Sequence, residues 1–135
     1  MKKGSIAVTG CLAAVLLACV LLGRHVIGDR PLRSLTAEEI ASIEVRLLPP
    51  DRTVRLTAEQ IQALLPLLCD VVVFQRDDSW NEYDGQAVTF TIFKQDGTQT
   101  NVMAYAPFIV LDGVGRRCRY GPCEALNQFA NDLIR

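Results

Sequence analysis

Histidine is almost absent from this sequence, with His25 as the single example. Catalysis by a serine or cysteine nucleophile usually needs a histidine base beside it, and His25 follows directly on an apolar N-terminal run. The scarcity also argues against histidine-based zinc sites, and the cysteines lack the paired C-x-x-C spacing of a structural zinc site. We therefore expect no catalytic residues of these classes, no metal and no cofactor.

Basic residues are outnumbered in the body of the chain. The residues after Gly28 carry 11 basic and 15 acidic side chains, a net charge of −4. A nucleic-acid-binding domain typically presents a basic surface, so we expect no nucleic-acid partner. About 107 residues follow Gly28, which is enough for one domain and too few for two.

Charge is absent from one long run, Ile6 to Gly23. Its 18 residues correspond to about 27 Å of helix at ~1.5 Å per residue, just enough to span a bilayer. Because Lys2 and Lys3 precede the run, the positive-inside rule places residues 1–5 in the cytoplasm and the chain beyond the run outside. We therefore predict a transmembrane anchor at residues 6–27 in a single-pass protein of the cell membrane, whose domain faces outside.

Two alternatives to an uncleaved anchor remain open. Leu16-Leu17-Ala18-Cys19 is similar to a lipobox, so lipidation of Cys19 is one alternative means of attachment. A cleaved signal peptide is the other, since it shares the charged start and the apolar core. Neither processing site matches its consensus well, which favours the anchor.

The cysteines after the apolar run are odd in number: Cys69, Cys118 and Cys123. An odd count argues against a disulfide framework. A single disulfide between Cys118 and Cys123 stays open, as does the alternative that all three are small apolar thiols in the core.

The spacing of apolar residues and the positions of turn-forming residues predict the helices and strands of a domain at residues 36–135, after a short charged linker at 28–35. Strands are predicted at 42–48 and 53–56, where apolar residues alternate around Pro49-Pro50-Asp51. Thr57 and Gln60 have capping-box spacing before a helical apolar stripe, which Pro66 should kink or end early.

The sequence of the second half of the chain predicts five more strands and a final helix. The β-branched run 71–74 is typical of a buried strand, which we expect in the middle of the sheet. Strands at 87–94 and 99–105 flank Asp96-Gly97, strands at 107–111 and 116–120 flank Asp112-Gly113, and a helix begins near Pro122. This order predicts an α+β fold: an antiparallel sheet with two helices packed on one face.

The loop from Asp77 to Gly85 is the best candidate for a binding site. It holds the only tryptophan, Trp80, together with Tyr83, among the carboxylates of Asp78, Glu82 and Asp84. Trp and Tyr are enriched among interface hot spots, so the loop is a candidate for docking a protein partner. The alternatives are that both rings cover the sheet while the carboxylates stay solvated, or that the carboxylates hydrolyse a glycoside.

Three arginines, Arg116, Arg117 and Arg119, follow the glycine-rich turn 112–115. They are candidates for contact with anionic polymers or lipid headgroups. The alternative is a charged strand face that protects the sheet from aggregation. The turn itself does not match a dinucleotide fingerprint, because Cys118 stands where the third glycine belongs.

The hairpin around Pro49-Pro50-Asp51 and the following Leu56-Thr57-x-Glu59-Gln60-Ile61 resemble small membrane-anchored or lipoprotein-type extracytoplasmic domains of Gram-positive bacteria, which are uncharacterised. The resemblance covers most of residues 36–135 and implies no site residues. We expect a membrane-anchored binding or accessory module without enzymatic activity, with a ligand-sensing domain or a small hydrolase as the alternatives.

Overall fold

The computed structural model describes residues 2–135, with the side chains of all of these except 2–6 and 24–26. Two 3₁₀ turns, Ala37–Glu39 and Ser79–Glu82, accompany three helices and seven strands. In chain order these are α1 (Lys2–Ile27), β1 (Ile40–Leu48), β2 (Arg52–Arg55), α2 (Ala58–Cys69), β3 (Val73–Arg76), β4 (Ala87–Lys94), β5 (Gln99–Tyr105), β6 (Phe108–Leu111), β7 (Val114–Cys118) and α3 (Tyr120–Asp132).

The seven strands form one antiparallel sheet in the order β2-β1-β4-β5-β6-β7-β3. The α+β class and the antiparallel sheet predicted from the sequence are confirmed. Tight hairpins connect β4 to β5 and β6 to β7, and Gly97 and Gly113 have φ angles of 85° in these turns. An Asp-Gly pair supplies such angles at little steric cost.

Strand alternation determines which side chains enter the core. Val45 lies opposite Phe90, and Phe90 lies opposite Val102, so these fully buried residues share one face of the sheet. Helices α2 and α3 contact each other, and α3 also contacts β1, β4 and β5. Leu64 and Leu126, from α2 and α3, are fully buried in the same cluster.

Helix α2 begins at the predicted capping box. The Gln60 backbone N–H donates to Thr57 Oγ1 at 3.2 Å, and the Thr57 N–H donates to Gln60 Oε1 at 2.9 Å. The prediction that Pro66 would end or kink this helix early is wrong in its first part, because the helix continues to Cys69. Leu68, fully buried beyond the proline, holds the last turn against the core.

The predicted position of the 71–74 run in the middle of the sheet is wrong. Strand β3 is an edge strand that pairs only with β7 among the named strands. Val71, Val72 and Val73 are nevertheless buried, and the free side of Val73 forms a two-hydrogen-bond bridge with Asp29, each bond 2.8 Å long. A continuous apolar run predicts burial but not a central position in the sheet. Here the run is buried at the sheet edge, by packing against the core and by the bridge to Asp29.

Residues 28–35, predicted as a linker, lie against the domain. Leu32 and Leu35 are buried in the main core cluster. Gly28 has a φ of 79°, and a Cβ there would lie 2.5 Å from Val72 Cγ1. This glycine therefore permits a close approach between the end of α1 and the edge of the sheet.

Apolar side chains of α1 are exposed, including Leu12 at 64% and Leu16 at 60%. Among the residues that the structure describes, no helix is long and apolar enough to cross a membrane. The structure therefore does not support the predicted transmembrane helix at residues 6–27.

Candidate functional site

The sheet face opposite α2 and α3 carries a row of large side chains near one end of the strands. Leu48 lies opposite Ala87, and Tyr105 lies opposite Phe108. Each is the strand neighbour of a residue that faces the helices, so alternation places this row on the outer face. Phe108 is fully buried despite this position, which means that another part of the chain covers it.

The cover is the segment between β3 and β4, residues 77–86, which we call the groove loop. It is attached to β7 at Gly115 by two hydrogen bonds. The Asp77 N–H donates to the Gly115 carbonyl at 2.9 Å, and the Gly115 N–H donates to Asp78 Oδ1 at 2.8 Å. The groove loop therefore begins as a continuation of the β3–β7 edge and then turns across the outer face.

The carboxylates of Asp77 and Asp78, at the start of the groove loop, accept hydrogen bonds from other groups of the protein. Asp77 accepts hydrogen bonds from the Ser79 hydroxyl at 2.6 Å, the Ser79 N–H at 3.0 Å and Arg117 Nε at 2.8 Å. These bonds, first those from Ser79 and Arg117, lower the pKa of Asp77 from 3.8 to about 2. Arg76 Nε donates to Asp78 at 2.7 Å, and this bond and the one from Gly115 also lower the pKa of Asp78.

Tyr83 closes the groove loop over Phe108. The two ring centroids lie 5.3 Å apart with the planes tilted by 58°, and the Arg117 guanidinium carbon lies 4.6 Å from the Phe108 centroid. Tyr105 Oη donates a 2.6 Å hydrogen bond to the Tyr83 carbonyl. These contacts account for the burial of Phe108 and fix the backbone of the loop at Tyr83.

Trp80 packs against β7 at the position of Gly115. A Cβ at residue 115 would lie 2.5 Å from both Trp80 Cδ1 and the Asp77 carbonyl oxygen. Only glycine therefore allows the indole and the loop backbone to approach the strand this closely. The position of the tryptophan depends on the missing side chain of Gly115.

A groove of about 330 Å³ remains between the groove loop and the sheet. Apolar and aromatic side chains dominate its lining, and one wall is formed by Pro49 from the β1–β2 turn. The main lining residues are Leu48, Trp80, Tyr83, Gly85, Met103 and Tyr105. Its volume lies at the lower end of the ~300–1,000 Å³ typical of small-molecule sites, and such sites are mostly apolar.

Other hollows on the surface have fewer contributing segments. One of about 470 Å³ lies along α3 and the C-terminal residues and has a predominantly polar lining that includes Glu124 and Asn131. A shallow apolar hollow lies on α1 alone, at Val8, Leu12 and Val15. The groove combines three separate segments of the chain, which favours it as a specific site.

The predicted binding residues separate into three groups. Trp80 and Tyr83 line the groove. Asp78 is used to hold the loop on β7. Glu82 and Asp84 are exposed and adjoin lining residues on either side of Tyr83.

Sequence reasoning missed Met103, Tyr105, Leu48 and Pro49, which are distant in sequence from the loop. Strand alternation could have identified two of them, because Met103 and Tyr105 lie on the face of β5 opposite to that of the core residues Val102 and Ala104. Large apolar residues on the outward side of a strand indicate a second covered surface.

The structure does not bring together Arg116, Arg117 and Arg119, the candidates for anionic contact. Arg117 points to the outer face, over Phe108. Arg116 Nε donates to the Phe74 carbonyl at 2.9 Å, and its guanidinium lies 3.7 Å from Asp29. Arg119 is exposed at the start of α3. Neighbouring residues of a strand face opposite sides, so alternation alone separates Arg116 from Arg117.

Cys118 and Cys123, the candidates for a disulfide, are free thiols in the structure. A hydrogen bond with Cys123 lowers the pKa of Cys118, whereas the same bond and burial raise the pKa of Cys123. Cys19, the candidate for lipidation, is exposed on α1. Among the described residues, no three His, Cys, Asp or Glu side chains converge to hold a metal ion.

Replacement of Gly115 by alanine should displace the groove loop. The new Cβ forces Trp80 and the Asp77 backbone away from β7, and overpacking of this kind typically costs about 1–3 kcal/mol of unfolding free energy. We expect a red-shifted Trp80 emission and a lower urea midpoint. Gly121→Ala is the matched control, since nothing lies within 4 Å of its added Cβ. Unchanged emission and stability in Gly115→Ala would contradict the close contact.

The groove loop should open in acid. The pKa of Asp77 falls from 3.8 to about 2 on folding, so its stabilising contribution is complete above the unfolded value and is lost as the pH falls through the folded value. We expect the emission of Trp80 to shift to the red between these two pH values, with circular dichroism followed in parallel to detect global unfolding. Asp77→Asn should reduce the shift to the part that Asp78 contributes, whereas Asp132→Asn should retain it in full. An identical profile in Asp77→Asn would show that another group controls the loop.

Comparison with known proteins adds no relative. No family model, no curated protein and no solved structure matches the chain. The resemblance to Gram-positive extracytoplasmic domains therefore stays a prediction, and the function is argued from the geometry of the groove.

Proposed function

We propose that this chain is a membrane-attached binding module that offers the groove to a ligand and does not catalyse a reaction. The observation that carries the proposal is the lining of the groove by Trp80, Tyr83 and Tyr105. Large aromatic side chains supply much contact area at little conformational cost and dominate many binding sites. The groove is preformed, because the loop that makes it is held by hydrogen bonds at Asp77, Asp78 and Tyr83.

Attachment to a membrane is proposed from the exposed surface of α1. The described apolar side chains of this helix have no cover, with Val8, Leu12 and Leu16 each at least 60% exposed. A helix that is apolar all round is normally buried, either in protein or in lipid. Lys2 and Lys3 at the start of the helix favour an anionic lipid surface. We propose lipid as the cover, so that α1 attaches the domain to a membrane surface.

The absence of catalysis is proposed from the use of the carboxylates. A carboxylic acid that protonates a leaving group needs a raised pKa. Asp77 and Asp78 have lowered pKa values, and both are engaged with arginines. Among the described residues, the lining of the groove includes no carboxylate. The hydrolase alternative therefore has no geometric support in this loop.

A ligand inside the fold is also less well supported than one in the groove. The space between the sheet and the two helices is filled by fully buried side chains from both layers, such as Phe90, Ile43 and Leu68. A ligand-sensing role remains compatible with the outer groove. In either case the ligand is free in solution or carried by a partner at the cell surface.

The membrane proposal predicts that the full chain floats with liposomes in a density gradient. The double variant Leu12→Asp, Leu16→Asp should remain in the aqueous fraction, because two charges on exposed positions of α1 make lipid contact unfavourable. A control with two acidic substitutions on exposed polar positions, Gln62→Asp and Gln128→Asp, should float like the original chain. Recovery of the original chain in the aqueous fraction would contradict membrane attachment.

The groove proposal predicts that small molecules bind beside Met103. The chain has two methionines, Met1 and Met103, so a methyl-labelled methionine spectrum of the full chain reports on the groove through one signal. In a fragment screen with members of all charges, we expect ligands that shift the Met103 methyl signal. The shifts should disappear in Trp80→Ala and persist in the control Tyr120→Ala, which alters an exposed aromatic residue away from the groove.

Failure of every fragment to move the Met103 signal would contradict the groove as a binding site. Catalytic turnover of any fragment by the full chain, lost in a variant of Glu82 or Asp84, would contradict the non-enzymatic assignment and return those carboxylates to the hydrolase alternative.

A further inference from the structure

We propose that the groove recognises a small organic cation, an alkylammonium or quaternary ammonium group, by its aromatic walls and its acidic rim. This inference rests on the proposed function and specifies the chemistry of the ligand. It follows from two independent features, the arrangement of the rings and the balance of charge around them.

The first feature is the set of aromatic rings. Trp80, Tyr83 and Tyr105 come from separate parts of the loop and sheet and meet at one groove. The face of an aromatic ring carries negative electrostatic potential, and two or three rings around one space attract an ammonium group more strongly than they attract a neutral group. Tryptophan is the most effective of these rings. The volume of about 330 Å³ suits a head group of this kind with a short apolar body.

The second feature is an uncompensated negative charge at the rim. Three cations on this face or at the start of the loop have a carboxylate partner: Arg117 with Asp77 at 2.8 Å, Arg76 with Asp78 at 2.7 Å, and Arg46 with Asp51 at 2.9 Å. A fourth, Arg55, lies further along the strands, opposite Glu44. Glu82 and Asp84 are exposed. Among the side chains that the structure describes, none forms an ion pair with either of them.

The charge balance selects between ligand classes. Glu82 and Asp84 form no ion pair and flank the lining residue Tyr83 in the chain, so an anion that approaches the groove would be repelled by their charge. A neutral saccharide can stack on Trp80 but gains nothing from Glu82 and Asp84. A cation gains from both the rings and the rim. The same loop thus uses two carboxylates, Asp77 and Asp78, to fix its shape and leaves the other two for the ligand.

Choline, tetramethylammonium and the neutral isostere of choline, 3,3-dimethylbutan-1-ol, are the probes for the test. The full chain is held in phosphatidylglycerol nanodiscs, which present no ammonium head group. Binding is followed by Trp80 fluorescence and by the Met103 methyl signal. We expect the two cations to bind about tenfold more tightly than the isostere, since cation–π attraction and the rim act only on charge. Their affinity should fall as the salt concentration rises.

Matched variants measure the contribution of the rim carboxylates to affinity separately from that of the aromatic lining. The double variant Glu82→Gln, Asp84→Asn should weaken cation binding about three- to tenfold and leave the affinity for the isostere unchanged. The control Glu59→Gln, Glu124→Gln, which removes two exposed carboxylates on α2 and α3, should bind like the original chain. Both variants change exposed side chains isosterically, and their unfolding midpoints verify the fold.

A second arm distinguishes the sources of the cation. Nanodiscs that also contain phosphatidylcholine should weaken the apparent affinity for free choline if a lipid head group reaches the groove, and should leave it unchanged if the cation comes from solution. Equal affinity for choline and its isostere, or binding of neutral or anionic fragments alone, would overturn the cation proposal and leave the groove as a binding site. Absence of any ligand at Met103 would overturn both.

Discussion

The register between β1, β4 and β5 is the constraint on which both faces of this domain depend. Because side chains alternate along a strand, the pairing that joins Val45, Phe90 and Val102 in the core also sets Leu48, Met103 and Tyr105 on the opposite face. A shift of one residue would turn the apolar face away from α2 and α3. The hydrophobic core therefore holds the floor of the groove in place, although the two surfaces share no residue.

The groove loop adds a second layer on the outer face, and it depends on β7. Its entry is held at Gly115 by Asp77 and Asp78, and the missing side chain of that glycine allows Trp80 to lie against the strand. Its exit is held by the hydrogen bond from Tyr105 to the Tyr83 carbonyl. A loop fixed at both ends can present aromatic rings to a ligand without a large ordering cost, which is the physical meaning of preorganisation here.

The attachment of α1 to the domain connects the two parts of the proposed function. The helix ends at Ile27, and after Gly28 the chain pairs at Asp29 with the start of β3, whose other end leads into the groove loop. Leu32 and Leu35 then enter the core. The apolar helix is therefore joined to the domain through a buried segment, and a membrane bound by α1 would lie near the β3 edge of the sheet.

Local patterns in the sequence determined the elements of this fold. Alternation in β1 and β4, the capping box at Thr57 and the Asp-Gly turns each depend on residues close together in the chain, so their structure could be predicted. The groove, the edge position of β3 and the burial of residues 28–35 depend on contacts between distant segments. Trp80 meets Gly115 and Met103 only because strand order brings β7 and β5 beneath the loop. The sequence by itself thus determined which residues were available for a site, and tertiary packing decided which of them meet, because the contacts between distant segments are set by the packing of the whole sheet.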